Sequence, residues 1–314
     1  MHKYLWWILV LLGGCQNSAN IASKSTVTNN NRFERFSDVK QETYRAIDWV
    51  SDGTFTEGIE GPAVDSNGVL YVVNYAQQGT IGAVKGKSDA RLWVTLPEGN
   101  IGNGIRFNQH GDMFVADYAR HNILKITPQG KVSVHAHEPL MNQPNDIAIR
   151  DDGVIFASDP NWANGRGQLW RVETDGQVTL LKADMGTTNG IEVSPDNKTL
   201  YVNESKQRRI WAFTLNEQGD VSDKRLFYQF VDHGLDGMRT DNQGNLYVAR
   251  YGAGEVVVLS PKAMLLQTVR LKGRHPTNIA FGGQDGKQVF VTMQKRGAIE
   301  SFYSEYAGRA HTLH

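Results

Sequence analysis

EGPAVDSNGVLYVV, residues 60–73, is a polar residue, a short apolar strand, a Gly turn and a second strand. The phrase returns as NGIRFNQHGDMFVA from Asn103, NDIAIRDDGVIFAS from Asn145 and NGIEVSPDNKTLYV from Asn189. It continues as DGMRTDNQGNLYVA from Asp236 and TNIAFGGQDGKQVFV from Thr277, and successive copies start 41 to 47 residues apart. A fixed period of this size marks a propeller or a solenoid, in which no unit buries its apolar faces alone. Around residue 60 one unit parses in full. Gly61 to Asp65 and Val69 to Asn74 are strands about the turn Ser66-Asn67-Gly68. After Gln77-Gln78-Gly79, Ile81 to Lys85 and Arg91 to Leu96 are two more. Four short strands joined by Gly/Asn turns make one propeller blade, and no segment sustains a helical period. The expected fold is an all-β, six-bladed propeller over residues 43–308. A WD-repeat scaffold would carry periodic Gly-His and Trp-Asp dipeptides, and this chain has neither.

The last copy is one strand short. After its first strand come only Gln288 to Met293 and Ala298 to Phe302. YRAIDWV, residues 44–50, resembles ARLWVTL, residues 90–96, the fourth strand of the first unit. The N-terminal stretch is therefore expected to complete the last blade and remove an open sheet edge.

Lys plus Arg and Asp plus Glu each number 33, so no basic field is available for nucleic acid. At the N-terminus, Lys3 precedes an apolar run from Tyr4 to Leu12, which ends in Leu12-Gly13-Gly14-Cys15. The run is too short to span a bilayer and has the layout of a secretory signal. Small residues before Cys15, the sole Cys, resemble the bacterial lipobox, whose Cys is diacylated. Lipid there means anchored to a membrane, not spanning it. Gln16 in place of Asp resembles outer-membrane sorting, on the periplasmic side of a cell envelope. Residues 16–42, rich in Asn, Ser and Thr, read as a disordered tether.

The leading residues Glu60, Asn103, Asn145, Asn189, Asp236 and Thr277 each open an innermost strand, so ring closure gathers all six at one end of the central channel. Carboxylate and amide oxygens suit a hard cation such as Ca2+, and no His or Cys cluster has zinc spacing. Asn-Gly and Asp-Gly are also turn dipeptides. A separate Gly turn already follows in four copies, at Gly68, Gly111, Gly153 and Gly244. A second register, near lead plus fourteen, holds Asn74, Asp117, Asp159, Glu204 and Arg250. It is expected as an outer polar layer around the same mouth, orienting the residues inside it. His233 and His275 lie near the mouth as candidate proton relays. His135 and His137, on an outer-strand pattern, are expected exposed.

Several phrases resemble one family. They are Glu60-Gly-Pro, Gln143-Pro-Asn-Asp146, Thr188-Asn-Gly190, Leu235-Asp-Gly237 and His275-Pro-Thr-Asn-Ile-Ala-Phe-Gly-Gly283. The family is the six-bladed calcium propellers of the senescence marker protein (regucalcin), gluconolactonase and luciferin-regenerating enzyme type, and the likeness covers roughly residues 46–306. The resemblance implies Glu60, Asn145, Asn189 and Asp236 as ligands of Ca2+, or of another divalent cation, and Asp236 as general base. It also implies that Asn103, Gln143, Asn145 and Trp162 meet a small-molecule substrate, a lactone. Sugar-lactonase members place an Arg where this chain has Gln143, so a guanidinium fork for sugar hydroxyls is missing. Trp162 offers instead a face for an apolar or sugar ring. The expected activity is lactone hydrolysis by a monomer. Organophosphate triester hydrolysis at the same site, or a non-catalytic ligand-binding envelope propeller, are the alternatives.

Overall fold

The computed structural model describes residues 43–310. The expected signal segment, Cys15 and the tether lie outside the described residues. Six four-stranded antiparallel sheets follow one another. Blade 1 is Glu60–Val64, Leu70–Val73, Thr80–Val84 and Ala90–Thr95. Blade 2 is Gly102–Phe107, Met113–Asp117, Asn122–Ile126 and Val132–His137. Blade 3 is Ile147–Ile149, Ile155–Asn161, Arg166–Val172 and Val178–Met185. Blade 4 is Thr188–Val193, Thr199–Glu204, Arg209–Leu215 and Val221–Gln229. Blade 5 is Met238–Thr240, Leu246–Arg250, Glu255–Leu259 and Leu265–Arg270. Blade 6 is Pro276–Gly282, Gln288–Met293 and Ala298–Tyr303, completed on its outer edge by Ile47–Val50.

The N-terminal strand closes the ring as expected, though it begins at Ile47 and not at Tyr44. Ile47 pairs with Ser301 and Val50 with Ile299. Tyr44 lies at positive φ ahead of the strand and donates its N–H to the Tyr303 carbonyl at 2.7 Å.

The apolar core sits between blades. Middle strands carry unbroken apolar runs because both their faces are covered; Leu70–Val73 (LYVV) is an example. Each of six clusters bridges one neighbouring pair. Phe114 and Ile123 of blade 2 meet Ile155 and Trp170 of blade 3. Blades 3 and 4, 4 and 5, 5 and 6, and 1 and 2 meet in the same way. Across the closure, Val50, Phe290 and Ile299 meet Leu70, Val72 and Val84. Each such side chain contributes about 1.5–3 kcal/mol on full burial. Every blade thus depends on two neighbours.

All six innermost strands start at the same end of the channel, and their backbones crowd there. A Cβ on Gly237 would lie 1.9 Å from Asn278 Oδ1. Gly61, at φ +52°, would put one 1.8 Å from the Asn103 carbonyl oxygen. Glycine after a lead residue therefore serves the approach of the next blade, not a hairpin turn. Among the described residues no helix is long and apolar enough to cross a membrane.

Candidate active site at the channel mouth

Glu60, Asn189 and Asp236 come together at this mouth. Asp236 is 9 % exposed and lies beside Glu60 and Asn189. Glu60 Oε2 accepts from Gly61 N–H at 2.7 Å and from Asn278 Nδ2 at 3.2 Å. Burial, offset in part by the Gly61 N–H and reinforced by the charge of Asp146, pushes the Glu60 carboxyl up to about 7. Burial first, and then Glu60 beside it, hold Asp236 well above the usual carboxylate range. Two neighbouring buried carboxyls each disfavour the other's ionisation unless a compensating charge is present. Asn189 is 3 % exposed, and its Oδ1 is buried without a hydrogen-bond partner. An orphaned buried carbonyl beside two carboxyls raised by burial is an all-oxygen donor set.

The other leads enter differently. The Asn145 carbonyl accepts from Gly104 N–H at 2.8 Å, while its side chain is half-buried. Asn103 is buried and packs its carbonyl against Gly61. Thr277 does not face the mouth as expected. Its hydroxyl donates to the Ile59 carbonyl at 3.1 Å and lies 2.8 Å from Thr292 Oγ1. The polar group that blade 6 delivers to Glu60 is Asn278, one residue later. Both side chains cross to blade 1, but the Thr277 hydroxyl is spent on the Ile59 carbonyl, and it is the longer Asn278 amide that reaches the Glu60 carboxylate. Among the described residues no three His, Cys, Asp or Glu side chains cluster as a metal site. The donor set at the mouth is two carboxyls plus amide oxygens.

The second register is buried, so it is not an open layer around the mouth. Each member pins the loop that leads into an innermost strand. Asn74 Nδ2 donates to the Gly58 carbonyl at 2.7 Å, and Asp117 accepts from Ile101 N–H at 3.0 Å. Asp159 Oδ1 accepts from Asn142 and Gln143 N–H at 2.8 and 2.6 Å. Its Oδ2 accepts from Trp170 Nε1 at 3.0 Å, and burial holds its carboxyl up against these donors. Glu204 accepts from Gly186 N–H at 2.9 Å, and Arg250 donates to the Asp232 carbonyl at 2.8 Å. Blade 6 repeats the device with Glu300, which accepts from Lys272 and Gly273 N–H.

Around the rim, Lys206 donates to the Trp162 carbonyl at 2.7 Å and lies over its indole at 5.8 Å from the centroid. The His275 ring packs on Tyr251, whose hydroxyl donates to Gln294 Oε1 at 2.6 Å. Burial and the charge of Asp236 raise the Tyr251 phenol. His233 lies 3.9 Å from Asp232. His137 is exposed, but His135 is half-buried. It stacks on Phe114 and bonds the Glu173 carbonyl, because the loop after the third strand of blade 3 folds over it.

Farther along the axis, a buried charge network fills the channel. Asp146, fully buried, accepts from Arg106 Nη1 and from Arg239 Nη1, each at 3.2 Å and on different oxygens. Arg106 Nη2 reaches Glu192 Oε2 at 3.4 Å. Three of these residues occupy the third place after a lead, in NGIR, NGIE and DGMR. A charge in the middle of an apolar inner strand was the signal that could have found them.

Residues 59–295 match the family model described as the SMP-30/Gluconolactonase/LRE-like region. The chain belongs to that family. A Zymomonas mobilis gluconolactonase is 27% identical over 216 residues, 60% of this chain and 60% of its own length. The diisopropyl-fluorophosphatase of Loligo vulgaris is 25% identical over 286 residues, 80% of this chain and 90% of the relative. Among solved structures, the Agrobacterium tumefaciens regucalcin, described as a calcium-binding protein, superposes with a TM-score of 0.73 at 21% identity. It covers 84% of this chain and 95% of that one, and it shares the fold.

Proposed function

We propose that this family member is a calcium-dependent lactonase of the gluconolactonase type, held in the cell envelope by lipid on Cys15. The observation that carries the reading is the mouth itself: the buried carboxyls of Glu60 and Asp236 lie beside the unpartnered Asn189 Oδ1. Such all-oxygen donor sets suit Ca2+. Held by Glu60, Asn145, Asn189 and Asp236, the cation would polarise an ester carbonyl and keep both carboxylates ionised.

Asp236 accepts a proton from water as the water oxygen bonds to the lactone carbonyl carbon. The proton then passes to the ring oxygen as the acyl C–O bond breaks, leaving a hydroxy acid. Gly61 N–H and Asn278 fix Glu60 in place. Asn142 and Gln143 N–H, held by Asp159, set the loop that presents Asn145 and the Gln143 side chain to substrate. Asn103 and Trp162 complete the substrate contacts, with Lys206 bracing the indole. With Gln143 where a guanidinium fork would stand, weakly polar lactones are favoured over sugar acid lactones. Length coverage by the Loligo relative supports a second reading, phosphotriester hydrolysis at the same carboxylates.

The test is a panel of lactones and organophosphate triesters, with and without Ca2+, on the propeller lacking residues 1–42. Ca2+-dependent lactone opening is expected, and Asp236→Asn at saturating Ca2+ should lower turnover by about 100- to 10,000-fold. Near-normal turnover in that variant would leave Asp236 as a ligand only. Preference for triesters selects the second reading, and no turnover of either class leaves a binding propeller. Cys15→Ser should release the full chain from the membrane fraction; unchanged fractionation would remove the anchor from the proposal.

A further inference from the structure

Two lead carbonyls are held by a backbone N–H of the blade before them. Gly104 N–H donates to the Asn145 carbonyl at 2.8 Å, and Gly237 N–H donates to the Thr277 carbonyl at 2.6 Å. At the boundary of blades 4 and 5 a side chain takes that role. Asn203, on the second strand of blade 4, donates from Nδ2 to the Asp236 carbonyl at 2.6 Å. Gly190 leaves the opening for this contact. A Cβ there would lie 2.3 Å from the Asp236 carbonyl oxygen and 2.7 Å from Asn203 Nδ2.

The repeat shows what sets Asn203 apart. Strand pairing puts it in register with Val73, Ala116, Ser158, Ala249 and Thr292 of the other blades. Three of those five have no polar side-chain atom. The other two serve their own blade. Ser158 Oγ bonds the Asp146 N–H and carbonyl at 3.1 and 3.2 Å. Thr292 Oγ1 bonds the Asn278 N–H and carbonyl at 3.0 and 3.2 Å. Asn203 alone of the six reaches the next blade. It is fully buried, and its Oδ1 has no hydrogen-bond partner among the described residues. An unpaired buried amide oxygen works against folding, and an alanine, as in blades 2 and 5, would avoid it. What the amide contributes is therefore its other half, the contact with Asp236.

We infer that Asn203 is a positioning residue for the Asp236 carboxyl. The Asp236 N–H is held within blade 5 by the Ala249 carbonyl at 2.9 Å, and its carbonyl is held from blade 4 by Asn203. With both backbone groups fixed, only the side-chain torsions of Asp236 remain to place its carboxyl. Asn203 also lies on the strand that pairs with the one carrying Asn189. One amide thus sets the spacing between two of the proposed Ca2+ ligands, Asn189 and Asp236. The inference rests on the calcium reading for the cation, though not for the contact itself.

Calorimetric titration of the full chain with Ca2+ tests it. Partners that orient metal ligands typically contribute about 10- to 100-fold to affinity, so Asn203→Ala should weaken Ca2+ binding about tenfold or more. Ser301→Ala is the structural control. It removes a buried hydrogen bond, from Gln288 Nε2 at 3.0 Å, at the end of blade 6 away from the lead. That variant should bind Ca2+ as the unmodified protein does. Should Asn203→Ala fail to fold, the unmodified chain decides by NMR in chelator. A scalar coupling across the hydrogen bond is expected between Asn203 Nδ2 and the Asp236 carbonyl carbon. Unchanged Ca2+ affinity in Asn203→Ala overturns the inference, as does an equal loss in Ser301→Ala or the absence of the coupling. An unmodified protein that shows the coupling but takes up no Ca2+ overturns the calcium reading instead, and still supports Asn203 as the residue that fixes Asp236.

Discussion

Two neighbouring parts of the central channel bury the same kind of group and compensate it in opposite ways. At the mouth, Glu60 and Asp236 lie side by side with neutral amide partners, and burial raises both carboxyls. Asp146, one residue past the lead Asn145, lies between two guanidiniums, and Glu192, three past Asn189, lies beside two. A buried carboxylate with cations built in is a fixed part of the fold. One left to its own kind is a socket for a charge from solution.

The largest effect expected from disturbing this contrast is at the deep end. Asp146→Asn leaves Arg106 and Arg239 without their shared anion and should cost about 3–5 kcal/mol, as removal of one partner of a buried pair does. Urea unfolding measures it; a loss near zero would mean that water already screens the pair. At the mouth the metal-free protein should respond to pH instead. Glu60 and Asp236 have folded affinities for protons above their unfolded ones, so they stabilise the fold below about pH 4.5 and lose that contribution as pH rises towards 7. The slope is about 1.4 kcal/mol per pH unit for each proton released. Melting in chelator should therefore fall between pH 5 and 7.5, and saturating Ca2+ should flatten the curve; parallel curves would contradict the raised carboxyls. The smallest effect is the counterpart of the first. Glu60→Gln in chelator at neutral pH should raise stability by about 1–3 kcal/mol, since it removes a carboxyl whose ionisation costs the fold.

The mouth was legible in the sequence because repetition multiplies a signal. Six polar residues at one place in six copies point to one axis, whatever each does singly. That logic fails where a copy departs from its siblings. Thr277 keeps the register but not the reach, and Asn278 supplies the contact. Asp146 stands where four copies have Gly, and it is the anion at the centre of the plug. The network was hidden for another reason: Arg106, Glu192 and Arg239 alternate with apolar neighbours, and alternation alone reads as a strand with one wet face. Only ring closure turns that face inward. The closing strand itself was readable from its likeness to residues 90–96, because each outer strand meets the same half-covered surface.

That closing strand also fixes an order of events. Ile47, near the start of the domain, waits for Ser301, near its end. Five blades can form as their residues become available, but the sixth cannot be completed until almost the whole chain is present. Both flanks of the gap stay uncovered until then, and the Val50, Phe290 and Leu70 cluster cannot assemble earlier. Pairings this distant in sequence make for slow folding and a long exposure of sticky edges. The seam that seals the finished ring is thus also the place where an unfinished chain is open to a wrong partner.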